Sequence, residues 1–273
     1  MKLRSICFVA LSFCARSVYA GAIQVDLGTA DPFAALGGST VTNTGTTNVQ
    51  GNLGVSPGSA ITGFPPGSVT DGIIHAGDAI AAQAQRDLTT AYNFAAAEPC
   101  GNVLSGQNLG GLTLTSGVYC FASSAQLTGT LTLNAQSNPN AVFIFQIGST
   151  LTTASSSSIV FINGGEGNSV FWQVGSSATL GTTTAFEGNI LALTSITMNT
   201  GANIECGRAL ARNGALTMDT NSLSIGSAAC DTSVVSGGPG PGPGPGAVPE
   251  PGTAGLLSLG LLGLLGFSRR GRK

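Results

Sequence analysis

The feature that most constrains the fold is a repeat in the second half of the chain. The stretch AVFIFQIGSTLTTASSSSIVFING aligns with SVFWQVGSSATLGTTTAFEGNI, and LALTSITMNTGANIECGRAL aligns with LARNGALTMDTNSLSI. Each unit of about 19 to 27 residues holds an apolar run, a Thr-rich run, a small-residue corner and a third run. Three short strands with Gly or Asn at the corners are what one coil of a β-solenoid requires. A plain β-sandwich is the alternative that this pattern leaves open.

Alternation within the Thr-rich runs predicts which side chains face the core. Apolar residues and threonines take turns in TLTTA, SITMNTG and ALTMDT, and successive side chains of a strand point to opposite faces. The predicted inward residues are Leu151, Ile196, Met198, Leu216 and Met218, and the predicted outward residues are Thr152, Thr197 and Thr217.

The composition suits narrow coils and excludes some partners. Charged residues make up 8% of the 273 residues, against about 25% in an average globular domain. Gly accounts for 41 residues and apolar residues for 42%, so the core is built from small and β-branched side chains. The formal net charge of −2 offers no basic patch, which argues against nucleic acid and anionic membrane surfaces as partners.

One segment has helical periodicity. Asp78 is a suitable N-cap for DAIAAQAQRDLTTAYNFAAAEP, and Pro99 stops the helix. The apolar stripe is mostly Ala, so the helix can lie close against a flat surface. Its predicted members are Ile80, Ala84, Leu88, Ala91 and Ala95. The run VFIFQIG is apolar on both sides, and the helix is the expected cover for its outer side.

Both ends of the chain are predicted to be sorting segments. Residues 1–20 carry Lys2 and Arg4, an apolar run and a small-x-small site, as a secretory signal peptide does. The expected solenoid domain covers residues 21–235, and the Gly-Pro repeat of 236–247 is expected to be a linker. An apolar run near 253–267 follows, short for a membrane span of about 20 residues, with a basic tail that favours the cytoplasm.

The C-terminal segment 248–273 resembles the PEP-CTERM sorting signal of Gram-negative bacteria that produce exopolysaccharide. The resemblance rests on its Val-Pro-Glu-Pro motif, its Leu/Gly-rich run and its terminal arginines. It implies an exosortase-type partner, tethering to the membrane before sorting, and a secreted or cell-surface mature protein. The implied recognition residues are Val248, Pro249, Glu250 and Pro251.

Four cysteines remain once the signal peptide is removed, an even number that suits an oxidising compartment. Four cysteines allow three pairings, of which the spacing favours two local loops that would staple the two ends of the domain. These are Cys100–Cys120 and Cys206–Cys230. Neither spacing is that of a zinc site.

The sequence lacks the usual signatures of catalysis and of cofactor binding. The single histidine, His75, is expected to be a surface or capping residue rather than a metal ligand. No nucleophile elbow, phosphate loop or dinucleotide fingerprint is present. Glu187 and Glu205 could meet on adjacent coils as a glycosidase pair, although a solvated edge shared with Arg208 is the favoured interpretation. Arg208 and Arg212 are expected to pair with nearby acids or the terminal cap. We therefore predict a non-catalytic protein without cofactors.

A Thr-Ala/Gly-x-Thr/Asn corner recurs along the chain. Thr44-Gly45-Thr46-Thr47 and Thr200-Gly201-Ala202-Asn203 fit fully, while residues 153–156 and 180–183 fit with one replacement each. If these corners fall at one place in successive coils, they form a ladder of hydroxyls and methyls with rungs about 4.8 Å apart. Thr and Gly also suit solenoid corners for purely structural reasons.

Residues 31–225 resemble the DUF3494 family of bacterial and fungal ice-binding proteins. The resemblance rests on NVQGNLGVSPGSAITGFPPG, AQAQRDLTTAYN, LGGLTLTSGVYCF, SVFWQVGSSATLGT, GNILALTSITMNTGA and GRALARNGALTMDT. It implies a mainly β fold, a discontinuous right-handed β-solenoid of triangular cross-section with one long α-helix packed along a face. It also implies a flat ice-binding face to which the corner motifs contribute.

The outward candidates for contact with ice follow from the alternation and the corners together. They are Thr44, Thr47, Thr152, Thr153, Ser156, Thr179, Thr183, Thr197, Thr200, Asn203 and Thr217. Leu180 occupies a corner position where Thr is expected, and Asp219 and Asn221 are expected to break the last rung. We therefore expect moderate ice activity.

The expected function is extracellular ice binding by a monomer whose partner is the ice crystal surface. The alternative is a structural or adhesive matrix protein that binds exopolysaccharide. Sugars stack on exposed aromatic rings, and the candidate rungs contain none, so the sequence favours ice.

Overall fold

A computed structural model of the chain describes residues 22–226. The predicted signal peptide, the Gly-Pro linker, the sorting signal with its apolar run, and Cys230 lie outside these residues. Two 3₁₀ helices span Gly28–Ala30 and Gly167–Ser169, and one α-helix, α1, spans Ala79–Ala97. Within this part of the chain, no helix is both long and apolar enough to cross a membrane.

The strands of the described residues are short and numerous. In chain order they are β1 (Phe33–Gly37), β2 (Thr40–Thr44), β3 (Asn48–Gln50), β4 (Asn52–Val55), β5 (Ala60–Thr62), β6 (Ser68–Thr70), β7 (Ile74–Ala76), β8 (Asn102–Val103), β9 (Thr113–Thr115), β10 (Gly117–Phe121), β11 (Ala125–Leu127), β12 (Thr130–Asn134), β13 (Phe143–Ile147), β14 (Leu151–Thr153), β15 (Ser158–Ile162), β16 (Val170–Val174), β17 (Ala178–Leu180), β18 (Ala185–Ala192), β19 (Ile196–Met198), β20 (Asn203–Ala211), β21 (Leu216–Asp219) and β22 (Ser222–Ser224).

All strand pairs are parallel, and they form the three faces of a solenoid. We call the seven-stranded sheet β11-β14-β17-β19-β21-β2-β5 the flat face. A larger sheet supplies the other two faces. The helix-side face contains β8, β10, β13 and β16, and the third face contains β9, β12, β15 and β22. The long strands β18 and β20 cross from the third face to the helix-side face at bulges. These features confirm the predicted solenoid and exclude a sandwich.

The coils are not stacked in chain order. β1, β2 and β3 pair with β20, β21 and β22, so the first coil of the chain lies on the last one. β4 to β7 then extend the stack to one end. The helix, about 28 Å long at 1.5 Å per residue, carries the chain back towards the end that holds β8. The predicted discontinuity of the solenoid is therefore confirmed.

The helix is capped and packed largely as predicted. Asp78 is the N-cap, its carboxylate accepts a hydrogen bond from the Ala81 amide at 2.8 Å, and the helix ends two residues before Pro99. The stripe that faces the sheet is Ala81, Ala84, Leu88, Ala91, Tyr92 and Ala95. Ile80 was assigned to this stripe wrongly, because its side chain is 53% exposed and Ala81 takes the inward position.

The apolar run of the helix-side face buries both of its sides. Ile144 and Phe171 pack beneath the helix, whereas Phe145 and Trp172 point into the solenoid interior. The ring of Trp172 stacks on that of Phe145 with centroids 3.9 Å apart. The predicted inward residues of the Thr-rich runs are also buried, each at most 1% exposed. Alternation therefore predicted the core correctly.

The disulfide between Cys100 and Cys120 is confirmed. It joins the segment after the helix to β10, near the end of the solenoid that holds β8. Cys206 is also disulfide-bonded. Its predicted partner, Cys230, lies beyond the described part of the chain, so the second pairing remains a prediction.

Candidate functional site: the flat face

A continuous row of threonines runs across the middle of the flat face. Each is the outward residue of its strand, and adjacent members are direct partners in the strand register. The row is Thr152, Thr179, Thr197, Thr217, Thr42 and Thr62, with Gln126 at the β11 end. Parallel strands lie about 4.8 Å apart, so six threonines extend over about 24 Å.

The outward direction of these threonines is set by the buried residues that precede them in the chain. Leu151, Ile196 and Leu216 precede row threonines and are fully buried. Because successive side chains alternate, each buried residue fixes its Thr outward. The stacked coils repeat this constraint, so the threonine spacing is set by the backbone rather than by flexible side chains. The Thr42 hydroxyl lies 3.4 Å from that of Thr217.

A second row of small residues borders the threonines on the side where the strands begin. The Thr150 hydroxyl donates to Ser124 Oγ at 2.8 Å, and Ser195 Oγ accepts a hydrogen bond from the Ala215 amide. At the β2 end of this row, Thr40 pairs with Ala60. Small side chains leave the face without protrusions, and their mutual hydrogen bonds fix its surface.

One carboxylate lies at the other border. Asp219 faces outward at the end of β21 and pairs with the exposed Thr44 of β2. Its oxygens accept hydrogen bonds from the Thr200 hydroxyl at 2.5 Å and the Thr220 hydroxyl at 3.0 Å. Among the outward positions of the seven strands, it is the only charged residue. The predicted irregularity at Asp219 is thus present at the edge of the face.

Two predicted contact residues are buried instead of exposed. Thr153 is 3% exposed, and its hydroxyl lies 2.8 Å from that of Thr184. Thr47 is 1% exposed and accepts a hydrogen bond from the Asn221 amide at 3.0 Å. Both hydroxyls accept hydrogen bonds from backbone or side-chain donors inside a corner. Buried polar groups require such hydrogen bonds. Their assignment to the outer surface is wrong.

The corner motif was also aligned in the wrong register. The corners stack on a residue with left-handed backbone, namely Ser156, Thr183, Gly201, Thr220 and Gly45. Thr153, by contrast, is in register with Leu180 inside the solenoid. Sequence similarity alone does not reveal the sign of φ, so residues 153–156 and 180–183 were aligned two positions away from their structural equivalents in 44–47 and 200–203.

The remaining corner candidates lie at the rim of the flat face or beyond it. Ser156 and Thr183 are exposed, with hydroxyls 3.0 Å apart, and Thr200 is exposed beside Asp219. Asn203 is half-buried at the start of β20 on the third face, where its side chain accepts a hydrogen bond from the Ser222 amide. Asn221 is buried and does not interrupt a surface rung.

Thr42 and Thr62 belong to the row but were missed by the sequence analysis. TVTNT and AIT carry the same alternation as the later Thr-rich runs. The missing information was that the N-terminal coils stack on the C-terminal end of the solenoid, because the repeat was recognised only from residue 141 onward.

The polar residues considered for catalysis are arranged differently from the sequence interpretation. Arg208 is buried and pairs with Asp31 at 2.9 Å, so it does not join a solvated edge with the glutamates. Arg212 stacks over the Tyr92 ring at 4.5 Å. His75 is buried, with Nδ1 2.7 Å from the carboxylate of the N-cap Asp78, so it supports the helix cap but is not a surface residue. No group of three or more metal-binding side chains occurs in residues 22–226.

Glu187 and Glu205 do lie close together, on the bulged corner between β18 and β20. Burial, and then the neighbouring Glu205 charge, raise the pKa of Glu187 to about 8, against a usual value of 4.5. Its Oε2 atom is buried without a hydrogen-bond partner. The pair belongs to the part of the solenoid away from the flat face.

Replacing Glu187 should change how stability depends on pH. The folded state keeps the Glu187 proton to higher pH than the unfolded chain does, so wild-type stability falls as pH rises from about 4.5 to about 8. Glu187→Gln removes this loss. We expect the urea midpoint of Glu187→Gln to rise relative to that of wild type as the pH increases from 4 to 9. Glu205→Gln, at an exposed site, should give a smaller gain, and equal pH dependence in Glu187→Gln and wild type would contradict the assignment.

Comparison with known proteins agrees with this geometry. The Ice-binding-like family model matches residues 35–224, and the PEP-CTERM protein-sorting motif matches residues 247–273. An ice-binding protein of Nostoc sp. (strain HG1) is 57% identical over 249 residues, which cover 90% of this chain and 88% of that protein. An ice-binding protein of Flavobacterium frigoris (strain PS1) is 34% identical over 216 residues, 74% of this chain and 76% of that protein.

Solved structures show the same fold. The crystal structure of an ice-binding protein from an Antarctic biological consortium has 50% identity and a TM-score of 0.72, covering 75% of this chain and 92% of that one. The crystal structure of an ice-binding protein from the ascomycete Antarctomyces psychrotrophicus has 41% identity and a TM-score of 0.72, covering 75% of this chain and 100% of that one. The sorting motif indicates extracellular or cell-surface sorting in a bacterium. This chain belongs to the Ice-binding-like family.

Proposed function

We propose that this chain is an extracellular ice-binding protein that acts through its flat face. The observation that carries the proposal is the in-register row of six threonines, which no large or aromatic side chain interrupts. The names of the relatives from Nostoc and Flavobacterium frigoris support the same activity.

The chemistry of the row suits a solid water surface. The methyl groups restrict the water molecules next to them, while the hydroxyls anchor water through hydrogen bonds. A rigid, repeated array therefore orders water into a layer that can merge with ice. Each contact is weak, but many act together on one surface, which makes release slow. Bound protein then pins the ice front and forces it to curve between anchors.

The proposed contact residues are revised from the sequence-based set. The central row keeps Thr152, Thr179, Thr197 and Thr217 and gains Thr42 and Thr62. Thr44, Ser156, Thr183 and Thr200 form its rim. Thr47 and Thr153 drop out because they are buried, and Asn203 drops out because it lies on the third face.

Asp219 should limit the activity of the face. A carboxylate holds its hydration water strongly and in an orientation unlike that of ice. Asp219→Asn keeps a side chain that can bond Thr200 and Thr220, but it removes the charge. We expect the concentration needed to inhibit ice recrystallisation to fall about twofold, as for one improved contact among many. Asp71→Asn, at an exposed carboxylate that bonds Gln50 on another face, should change nothing. Unaltered or weaker activity in Asp219→Asn would contradict this role.

The wider setting follows from the sorting motif and the chemistry of the face. We infer processing by an exosortase-type enzyme in a Gram-negative bacterium, with membrane tethering before sorting and a monomeric, non-catalytic mature protein without cofactors. The alternative of a matrix protein that holds exopolysaccharide has less support. The outward positions of the seven flat-face strands carry no aromatic ring on which a sugar could stack, and the relatives above are named for ice.

Adsorption to ice tests the proposal. Fluorescently labelled domain, residues 21–235, is present while a single ice crystal grows slowly, and the protein in the melted crystal is compared with that in the remaining liquid. We expect enrichment in the ice, whereas a labelled globular protein of similar size should be excluded. Exclusion of the folded domain would overturn the proposal.

A further inference from the structure

The outermost rung of the threonine row lies on a weakly supported strand. β5 carries Thr62, the last member of the row, and forms one edge of the flat face, where it pairs only with β2 among the described strands. Its inward side chain, Ile61, is only partly buried, whereas the corresponding Ile196 and Leu216 of inner strands are fully buried. A short edge strand with so little burial opens more readily than strands inside a sheet. The last threonine therefore needs support from elsewhere in the outer coil.

Asn43 provides such support from inside the solenoid. It is an inward residue of β2, 9% exposed, and lies in register with the buried Met218 of β21. Its side-chain amide donates two hydrogen bonds, to the carbonyl of Gly45 at 3.0 Å and to that of Gly63 at 2.9 Å. Gly45 belongs to the turn after β2, and Gly63 belongs to the turn after β5. One side chain therefore ties the turn of the edge strand to the turn of the strand beside it.

The turn after β5 fits closely around Asn43. Gly63 has a φ of +83°, and a Cβ atom added to it would clash with the carbonyl oxygen of Asn43. A Cβ atom added to Gly67 would lie 2.7 Å from Nδ2 of Asn43. The Gly67 amide closes the turn by donating to the carbonyl of Gly63 at 2.8 Å. Two glycines thus let the backbone of this turn approach the asparagine, and larger residues would hold it away.

The hydrogen-bond donors of Asn43 distinguish it from its neighbours. The same inward column holds Met218, Met198 and Leu180 in adjacent coils, all buried and apolar. A buried amide loses its hydration and is favourable only where hydrogen bonds replace it. The amide nitrogen of Asn43 makes two hydrogen bonds, whereas no group in residues 22–226 donates to its buried Oδ1 atom. The two donated bonds are therefore what an apolar side chain could not supply at this position.

We propose that Asn43 is a positioning residue for ice binding, whose two hydrogen bonds hold β5 against β2 so that Thr62 stays in register with Thr42. The inference rests on the proposed function of the flat face and adds to it a residue that does not itself touch ice. Thr42 and Thr62 are direct partners in the strand register. If β5 is loosened, the row loses its outermost ordered threonine, and fewer ordered contacts on one solid surface weaken binding.

Asn43→Leu tests the proposal, because it removes the donors and keeps a side chain of similar size, matched to Leu180 in the same column. The isolated domain, residues 21–235, is a suitable reagent because 75% of this chain matches the whole chain of the crystallised ice-binding protein from Antarctomyces psychrotrophicus. Met218→Leu, an exchange of apolar residues in the neighbouring coil, is the matched control.

The first readout is hydrogen exchange followed by mass spectrometry, which does not depend on ice. We expect residues 58–67, which contain β5 and its turn, to exchange about tenfold faster in Asn43→Leu than in wild type, as for the loss of two hydrogen bonds that close one segment. Residues 194–200, which contain β19, should exchange as in wild type, and Met218→Leu should leave both segments unchanged. Unaltered exchange of residues 58–67 in Asn43→Leu would overturn the positioning role.

The second readout is the concentration needed to inhibit ice recrystallisation. We expect Asn43→Leu and Thr62→Tyr each to raise it about threefold, and the double variant to be no weaker than Thr62→Tyr alone, because Asn43 acts only through that rung. A further loss in the double variant would contradict the proposal, since Asn43 would then act through general stability. Wild-type activity in Asn43→Leu despite faster exchange would also refute it and leave the proposed function intact. Inactivity of the folded wild-type domain would overturn both.

Discussion

Thr197→Tyr should raise the concentration needed to inhibit ice recrystallisation about tenfold or more, because it breaks a cooperative array at its centre. Thr197 lies between Thr179 and Thr217 in the row. A phenol ring there stands above the neighbouring hydroxyls and keeps them from the ice surface. The outward position spares the core, so the thermal midpoint should stay close to that of wild type.

The matched control is Thr113→Tyr, at an exposed threonine of β9 on the third face. It should keep wild-type activity. Thr183→Tyr and Thr200→Tyr, at the rim, should reduce activity less than Thr197→Tyr does. If the rim variants lose more activity than the central one, the corners rather than the row contact ice.

Trp172→Ala should cause the largest loss of stability, about 3–5 kcal/mol, as expected for removal of a large buried ring. Trp172 is fully buried, stacks on Phe145, and donates its indole N–H to the carbonyl of Glu187 at 3.0 Å. Its removal leaves a cavity between two coils that parallel strands hold in place. The measurement is the free energy of unfolding from urea denaturation followed by circular dichroism.

Two further variants separate the contributions of the ring and the hydrogen bond. Trp172→Phe keeps an aromatic ring on Phe145 and loses the indole donor, so it should cost less than Trp172→Ala. Phe94→Ala, at a helix residue that is 39% exposed, should cost little. A Trp172→Ala protein as stable as Phe94→Ala would show that the coils do not depend on the internal ring stack.

The sequence predicted the solenoid because its repeat encodes geometry directly. An alternation such as Leu151-Thr152 fixes which side chain is buried and which is exposed, and this holds for any strand that closes one core. The helix was equally predictable, since Asp78 and Pro99 bound it and an Ala-rich stripe requires a close, flat partner.

The corners could not be predicted as well, because their geometry depends on backbone conformation. Ser156, Thr183 and Thr220 adopt positive φ, a conformation that sequence favours clearly only at glycine. Thr47 and Thr153 look like surface residues in composition, yet each satisfies a buried donor. A threonine at a turn is buried when a nearby buried N–H or O–H group needs its hydroxyl as a hydrogen-bond acceptor.

The complete extent of the face was also beyond the sequence. Thr42 and Thr62 join the row only because β2 lies on β21, a contact between residues about 175 positions apart. No local periodicity encodes that stacking. The first coil instead fits the last one because Val41 continues the inward column of Leu216.

Thermal hysteresis of the wild-type domain, residues 21–235, tests the central claim most directly. A single ice crystal is held just below its melting point in solutions of increasing protein concentration. We predict a gap between the melting and freezing temperatures that widens with protein concentration, and a crystal that keeps its shape within the gap. A domain that is folded by circular dichroism, yet lets the crystal grow freely as soon as the temperature falls below the melting point, would contradict it.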